Sequence, residues 1–186
     1  MSNLEIDLIN KRIVDCNKCI LCKLQFNDNS KNDLGHGKLL GKIGKSSNDI
    51  FMIGLNPSRI RYKGSGEYVF DDKIENDNSM GKFIKLLKEL EMYDNLYMTN
   101  LVKCSTTNNV VDQSYMETCF ENNLKLEIGI IKPKIIVAMG NDVYNFLKDK
   151  IKKIQKITHP SYYFSYNKGI VDNYKVELKR ILEMIK

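Results

Sequence analysis

Three short apolar runs constrain what this chain can fold into: Asp49-Ile50-Phe51-Met52-Ile53-Gly54, Leu96 to Val102 (LYMTNLV) and Lys134 to Met139 (KIIVAM). Uninterrupted apolar stretches of this length, bounded by glycine or polar residues, read as strands covered on both faces, as in parallel sheets. The segments between them carry helical periodicity. Ser79 caps a helix with Phe83, Ile84, Leu87 and Leu90 on its inner side; residues 114–131 form another that stops before Pro133; Asn141 to Lys150 and 171–185 form two more. Residues 3–14 place Leu4, Leu8, Ile9 and Ile13 at helical spacing, predicting a first amphipathic helix. Residues 27–48, rich in Asn, Ser and Gly, read as a long loop, and Ile154 to Thr158 as a short last strand. Alternating strands and helices predict an α/β fold, a three-layer α/β/α sandwich around a central, mostly parallel sheet of about four strands. Without internal repeats or a linker-like stretch, residues 1–186 read as one domain that begins with a cysteine knuckle.

At 42% hydrophobic residues the chain has material for a core and is unlike a disordered segment. Ile50 to Ile53 and Ile135 to Met139 are its longest apolar runs, far below the ~20 residues of a membrane span. The first residues, MSNLEIDLINKR, lack the basic-then-apolar order of a signal peptide. The expectation is an intracellular protein, cytoplasmic or DNA-associated, with no membrane partner. Lys and Arg outnumber Asp and Glu by 29 to 23, a net charge of +6, which is compatible with a nucleic-acid partner without specifying one.

Five cysteines in such a chain are not a disulfide framework, because the cytosol keeps thiols reduced. Cys16-Asn17-Lys18-Cys19 is a C-x2-C knuckle, a turn that points two thiolates at one ion and serves zinc or iron–sulfur clusters. Cys22 extends it like a ferredoxin run that no nearby C-x3-C-P completes. It reads equally as a small buried residue. The remaining ligands of any four-thiolate site come from Cys104 and Cys119, which requires the fold to join distant segments.

Ligands of parallel α/β sheets sit outside the carboxyl ends of the strands. Here those ends carry Asn56-Pro57-Ser58, Asn100, Gly140-Asn141 and His159-Pro160-Ser161. Their convergence would assemble two amides, a backbone-rich turn and an imidazole. Gly41-Lys42-Ile43-Gly44-Lys45-Ser46 looks like the end of a phosphate-binding P-loop. Leu39 stands where that motif needs glycine, and the segment precedes a strand instead of following one, so a nucleoside triphosphatase is rejected.

The order of these pieces resembles the uracil-DNA glycosylase superfamily: C-x2-C, FMIGLNPS, YMTNLVKC, a further Cys with a helix and KPKIIVAMG, then THPSY. It is most similar to the iron–sulfur, family-four type branch, over roughly Cys16 to Tyr163. The resemblance implies DNA repair by hydrolysis of the N-glycosidic bond of uracil, or of another deaminated base, after base flipping. The partner is then uracil-containing DNA and the protein a monomer. Cys16, Cys19, Cys104 and Cys119 take the places of the thiolates of a 4Fe–4S cluster, with zinc as the alternative metal and Cys22 left over. His159 takes the place of the imidazole at the uracil O2. Asn100 takes that of the amide reading the pyrimidine edge, with Gly54 and Ser161 beside it in the base pocket. The aromatic that stacks on the base falls on Phe70 or Tyr68.

The chain departs from that branch in two places. It reads Gly54-Leu55-Asn56-Pro57-Ser58 where family four has GEAPG. This is similar to the GINPG or GMNPG form of the mismatch-type and single-strand-selective branches, in which the Asn positions water, so Asn56 is the candidate for that role. The stretch from Gly140 to His159 is also short for a hairpin common in the family. These departures prompt an alternative: a non-catalytic iron–sulfur DNA-binding member of the same fold.

Overall fold

The structure is a computed structural model that describes residues 3–22, 41, 44, 46–57, 79–106, 110–166 and 171–185. Four strands, β1 (Ile50–Gly54), β2 (Leu96–Asn100), β3 (Ile135–Met139) and β4 (Gln155–Ile157), form one sheet in the order β2-β1-β3-β4. Every neighbouring pair is parallel. The helices are α1 (Asn3–Val14), α2 (Ser79–Glu89), α3 (Gln113–Cys119), α4 (Lys125–Ile131), α5 (Asn141–Leu147) and α6 (Val171–Glu183).

Strand side chains alternate between faces, and two separate cores follow from that period. Ile50, Met52, Leu96, Met98, Val137 and Met139 face α2 and α6, meeting Phe83, Leu87, Tyr174 and Leu178. Phe51, Ile53, Tyr97 and Ala138 face the other layer, meeting Phe120, Leu124, Val143 and Leu147. Both faces of the sheet are therefore covered, which is why its strands read as nearly continuous apolar runs. The expected three-layer α/β sandwich is what forms.

Two details differ from the sequence reading. On α1 the buried stripe is Ile9 and Ile13, packed on Ile130 and Ile131, whereas Leu4 and Leu8 are exposed. Helical spacing identifies several candidate faces, and the position of α4 selects one. The helix expected over 114–131 is interrupted: α3 and α4 are joined by a π-helical turn, Phe120–Leu124. It starts at Asp112, whose carboxylate accepts the Ser114 N–H at 2.7 Å, and ends at Lys132 in the left-handed region (φ 49°), just before Pro133. A second π-helical turn, Tyr162–Tyr166, follows His159-Pro160-Ser161. Its Tyr163 and Phe164 pack on Tyr174 of α6, while Tyr162 and Tyr166 are exposed. Among the described residues no helix is long and apolar enough to cross a membrane.

Candidate active site and thiol cluster

Because all four strands run the same way, their carboxyl ends lie along one edge of the sheet. Read across it, that edge presents Asn100, Gly54 with Asn56, Gly140 and His159. Gly54 and Asn100 are register partners. The β1–β2 pairing continues past them through Leu101 N–H to Gly54 O (2.8 Å) and Val102 N–H to Leu55 O (2.9 Å).

Asn100 is only 3% exposed, and its Nδ2 has no hydrogen-bond partner among the described residues. A buried amide donor left unpaired costs about 1–3 kcal/mol, so such a group points to a ligand that pairs with it. Its side chain lies over Gly54: a Cβ there would sit 2.4 Å from Asn100 Oδ1. Glycine is thus what lets the amide lie flat against the sheet edge.

Gly140 has φ +95°, a conformation open to glycine, and a Cβ on it would come within 3.3 Å of His159 Cβ. This turn between β3 and α5 makes room for the imidazole. His159 Nδ1 accepts the Ser161 backbone N–H at 3.3 Å and lies 2.7 Å from Ser161 Oγ. In the neutral imidazole an Nδ1 that accepts puts the ring proton on Nε2, so Nε2 is the donor.

Asn56 is half-buried. Its Nδ2 donates to Thr106 Oγ1 at 2.9 Å and to Pro57 O at 3.4 Å. With the amide nitrogen so committed, Oδ1 is the atom able to accept a hydrogen bond from water.

The loop carrying His159 is fastened by Glu177 of α6. That carboxylate accepts Thr158 N–H (2.7 Å), Thr158 Oγ1 (2.9 Å) and Tyr163 OH (2.9 Å). Neither Thr106 nor Glu177 was singled out in the sequence. Each acts through a partner fifty or nineteen positions away, and no local pattern signals such a contact. Phe70 and Tyr68, the candidates for stacking on the base, lie outside the described residues, as does most of the 27–48 loop.

The five cysteines gather in the core on the other side of the sheet, Cys22, Cys104 and Cys119 buried and Cys16 and Cys19 at its margin. Cys22, left over in the sequence reading, lies within the group: its Sγ is 3.8 Å from Cys19 Sγ, 3.8 Å from Cys16 Sγ and 4.0 Å from Cys104 Sγ. Asn123 of the π-helical turn donates Nδ2–H to Cys16 Sγ at 3.7 Å. The Lys103 backbone N–H does the same for Cys119. The hydrogen bond to Cys22 holds the Cys16 thiol well above its ordinary range. The Cys22 thiol is pushed up to about 11, chiefly by the hydrogen bond to Cys104, and the Cys119 thiol to about 11, chiefly by burial. Soft sulfur donors supported by amide N–H groups fit a thiolate-held metal group. Among the described residues, however, no three of these side chains close around the position of a single ion.

Neither of two surface cavities is lined by Asn100, Gly54, Asn56, Gly140 or His159, although the larger adjoins the ends of β1 and β3 through Leu55 and Asp142. One of about 440 Å³ is bordered by Arg12, Cys16, Lys18 and Asn123, and another of about 570 Å³ by Leu55, Val111, Met116 and Phe146.

A sequence model of the Uracil DNA glycosylase superfamily matches residues 41–183, and this chain belongs to that superfamily. The Type-4 uracil-DNA glycosylase of Sulfurisphaera tokodaii is 27% identical over 169 residues, covering 87% of this chain and 68% of that protein. It carries the family-four likeness expected from the motifs. The crystal structure of Pedobacter heparinus SMUG2 superposes with a TM-score of 0.51 over 74% of this chain and 77% of that one. At 14% identity, it bears on the fold alone.

Proposed function

We propose that this chain is a monofunctional DNA glycosylase that removes uracil, leaving an abasic site. The observation that carries the reading is Asn100: a buried amide with an unpaired donor, laid against a bare glycine at the carboxyl edge of a parallel sheet.

A base inside a duplex is out of reach, so it must be flipped out at a cost of a few kcal/mol. Uracil then offers O4 as acceptor and N3–H as donor. Asn100 complements both through Nδ2–H and Oδ1, whereas cytosine presents an amino group and a bare N3 in the same places. As the N-glycosidic bond breaks, its electron pair stays with the base and the charge spreads to O2. The Nε2–H of His159 is the donor suited to that oxygen. A donor fixed where charge develops stabilises the transition state more than the ground state. Water held by Asn56 Oδ1 adds its oxygen to C1′ and gives up a proton to solvent, and uracil departs as its anion. The aromatic stacking partner belongs to Phe70 or Tyr68.

Cys16, Cys19, Cys104 and Cys119 would hold the 4Fe–4S group, zinc being the alternative. When bound, such a group supplies a cross-link between the N-terminal knuckle and the segment 104–119. Broad visible absorbance with stoichiometric iron supports the cluster, and a colourless, zinc-loaded chain refutes it.

The test of the function is a uracil-containing oligonucleotide incubated with the full chain and then treated with alkali. Strand cleavage at the uracil is expected, weakening as salt rises because phosphate contacts release counterions. No cleavage on uracil or any other deaminated base, single- or double-stranded, would overturn the enzyme reading in favour of a non-catalytic DNA-binding member of the fold.

A further inference from the structure

Below the sheet edge lies a fully buried ion pair that the glycosidic chemistry does not use. Lys103 is 2% exposed and Glu127, on α4, 1% exposed. The Lys103 ammonium has three protons, and each meets an oxygen: Thr99 Oγ1 at 2.7 Å, the Asn100 backbone carbonyl at 2.7 Å, and Glu127 Oε2. Glu127 Oε1 in turn accepts Tyr97 OH at 2.8 Å and Thr99 Oγ1 at 3.1 Å. Nothing in this network is left unsatisfied, although burying two charges is expensive and a well-packed apolar pair often serves stability as well or better. Its presence therefore asks for a reason other than stability.

Side chains on a strand alternate between faces. Tyr97 and Thr99 point from β2 towards Glu127, and Asn100 points to the opposite face, over Gly54. The clamp consequently grips the backbone of Asn100 from behind, through its carbonyl, and leaves its amide facing the other way. We propose that Lys103 and Glu127 are positioning residues for Asn100, fixing the last peptide of β2 so that the amide meets the uracil edge at the correct depth. The same lysine ties this device to the thiol cluster, since its backbone N–H reaches Cys119 Sγ and Cys104 is the next residue. This inference rests on the proposed assignment of Asn100 to the base.

The test is a double-mutant cycle on the full, metal-loaded chain, using the paired replacement Lys103→Met with Glu127→Met, which leaves no unpaired charge behind. Iron content should stay near that of the parent, while the melting temperature should fall without loss of the fold, because Tyr97 OH, Thr99 Oγ1 and the Asn100 carbonyl lose buried partners. Release of uracil (kcat/KM) should fall about 10²-fold, the scale of a 1 Å misplacement. Binding to undamaged duplex should not change. In the Asn100→Ala background the paired replacement should cost nothing further, because both act through one amide. Losses that multiply in full would overturn the proposal, as would a paired variant as active as the parent. Should Asn100→Ala itself leave uracil release unchanged, the base-reading role falls. The crystal structure of the paired variant then decides the positioning alone: an Asn100 amide displaced by about 1 Å upholds it, and an amide in its original place overturns it.

Discussion

Gly54→Ala is a one-carbon probe of the base site. The substitution puts a methyl group 2.4 Å from Asn100 Oδ1, 3.6 Å from Asn100 Cγ and 3.4 Å from Met139 Cε. Ordinary contact begins at 3.4 Å, so the oxygen must retreat by about 1 Å (3.4 minus 2.4). The backbone has little freedom to absorb the clash, because β1 is hydrogen-bonded between β2 and β3 and Asn100 is buried. A 1 Å error in a positioning group costs about 10²-fold in rate. Stability should change much less. Alanine in place of a strand glycine gains roughly 0.5–1 kcal/mol, against about 1–3 kcal/mol for overpacking. The expected outcome is a chain that melts within a few degrees of the parent and retains affinity for undamaged duplex. Its kcat/KM for uracil release, measured by alkaline cleavage of a labelled oligonucleotide, should be down about a hundredfold. Undiminished uracil release from a folded Gly54→Ala chain would mean that the amide does not read the base from its present position.

His159→Ala should lower kcat by about 10²–10³-fold with DNA affinity nearly intact, the pattern of a donor used only in the transition state; an equal loss in binding would assign the imidazole to the ground state. Gly140→Ala should both strain a turn at φ +95° and press on His159, so reduced turnover should accompany a loss of roughly 1–3 kcal/mol in denaturant unfolding. Alkaline pH should unfold the protein through Tyr97 and Tyr174, whose hydroxyls burial holds well above their ordinary range. Above pH ~10 the unfolded chain loses these protons while the folded chain keeps them, so stability is flat below that point and falls above it. The slope is about 1.4 kcal/mol per pH unit for each, and replacing Tyr174 by Phe should flatten it in urea titrations at pH 10–11.

The sheet was legible because β1, β2 and β3 are buried on both faces, so Ile50 to Ile53 and Ile135 to Met139 stand out as apolar runs whatever surrounds them. Gly54, Asn56, Asn100, Gly140 and His159 could be picked out because parallel strands deliver their carboxyl ends to one edge. Contacts across the sequence were not legible. Leu4 and Leu8 are as hydrophobic as Ile9 and Ile13, and only the seat of α4 decides which pair is covered. Glu127 reads as an ordinary exposed helix residue until Lys103 is folded against it. The π-helical turn at Phe120–Leu124 has no periodic signature, yet it carries the Asn123 amide that reaches Cys16. Cys22 could not be placed from spacing, since 16/19 and 19/22 are both C-x2-C pairs; the packing sets it among the other thiols.

The fastening of Thr158 to Glu177 has a bearing on how the chain matures during synthesis. Translation delivers the His159 segment to the growing polypeptide before the carboxylate that secures it, nineteen positions further along, has been made. A ribosome-bound chain stalled between the two would own every strand of the sheet and every group proposed to touch the base. It would still leave the loop that carries the imidazole unfastened at Thr158, so competence to release the base should arrive with α6 and not with the sheet.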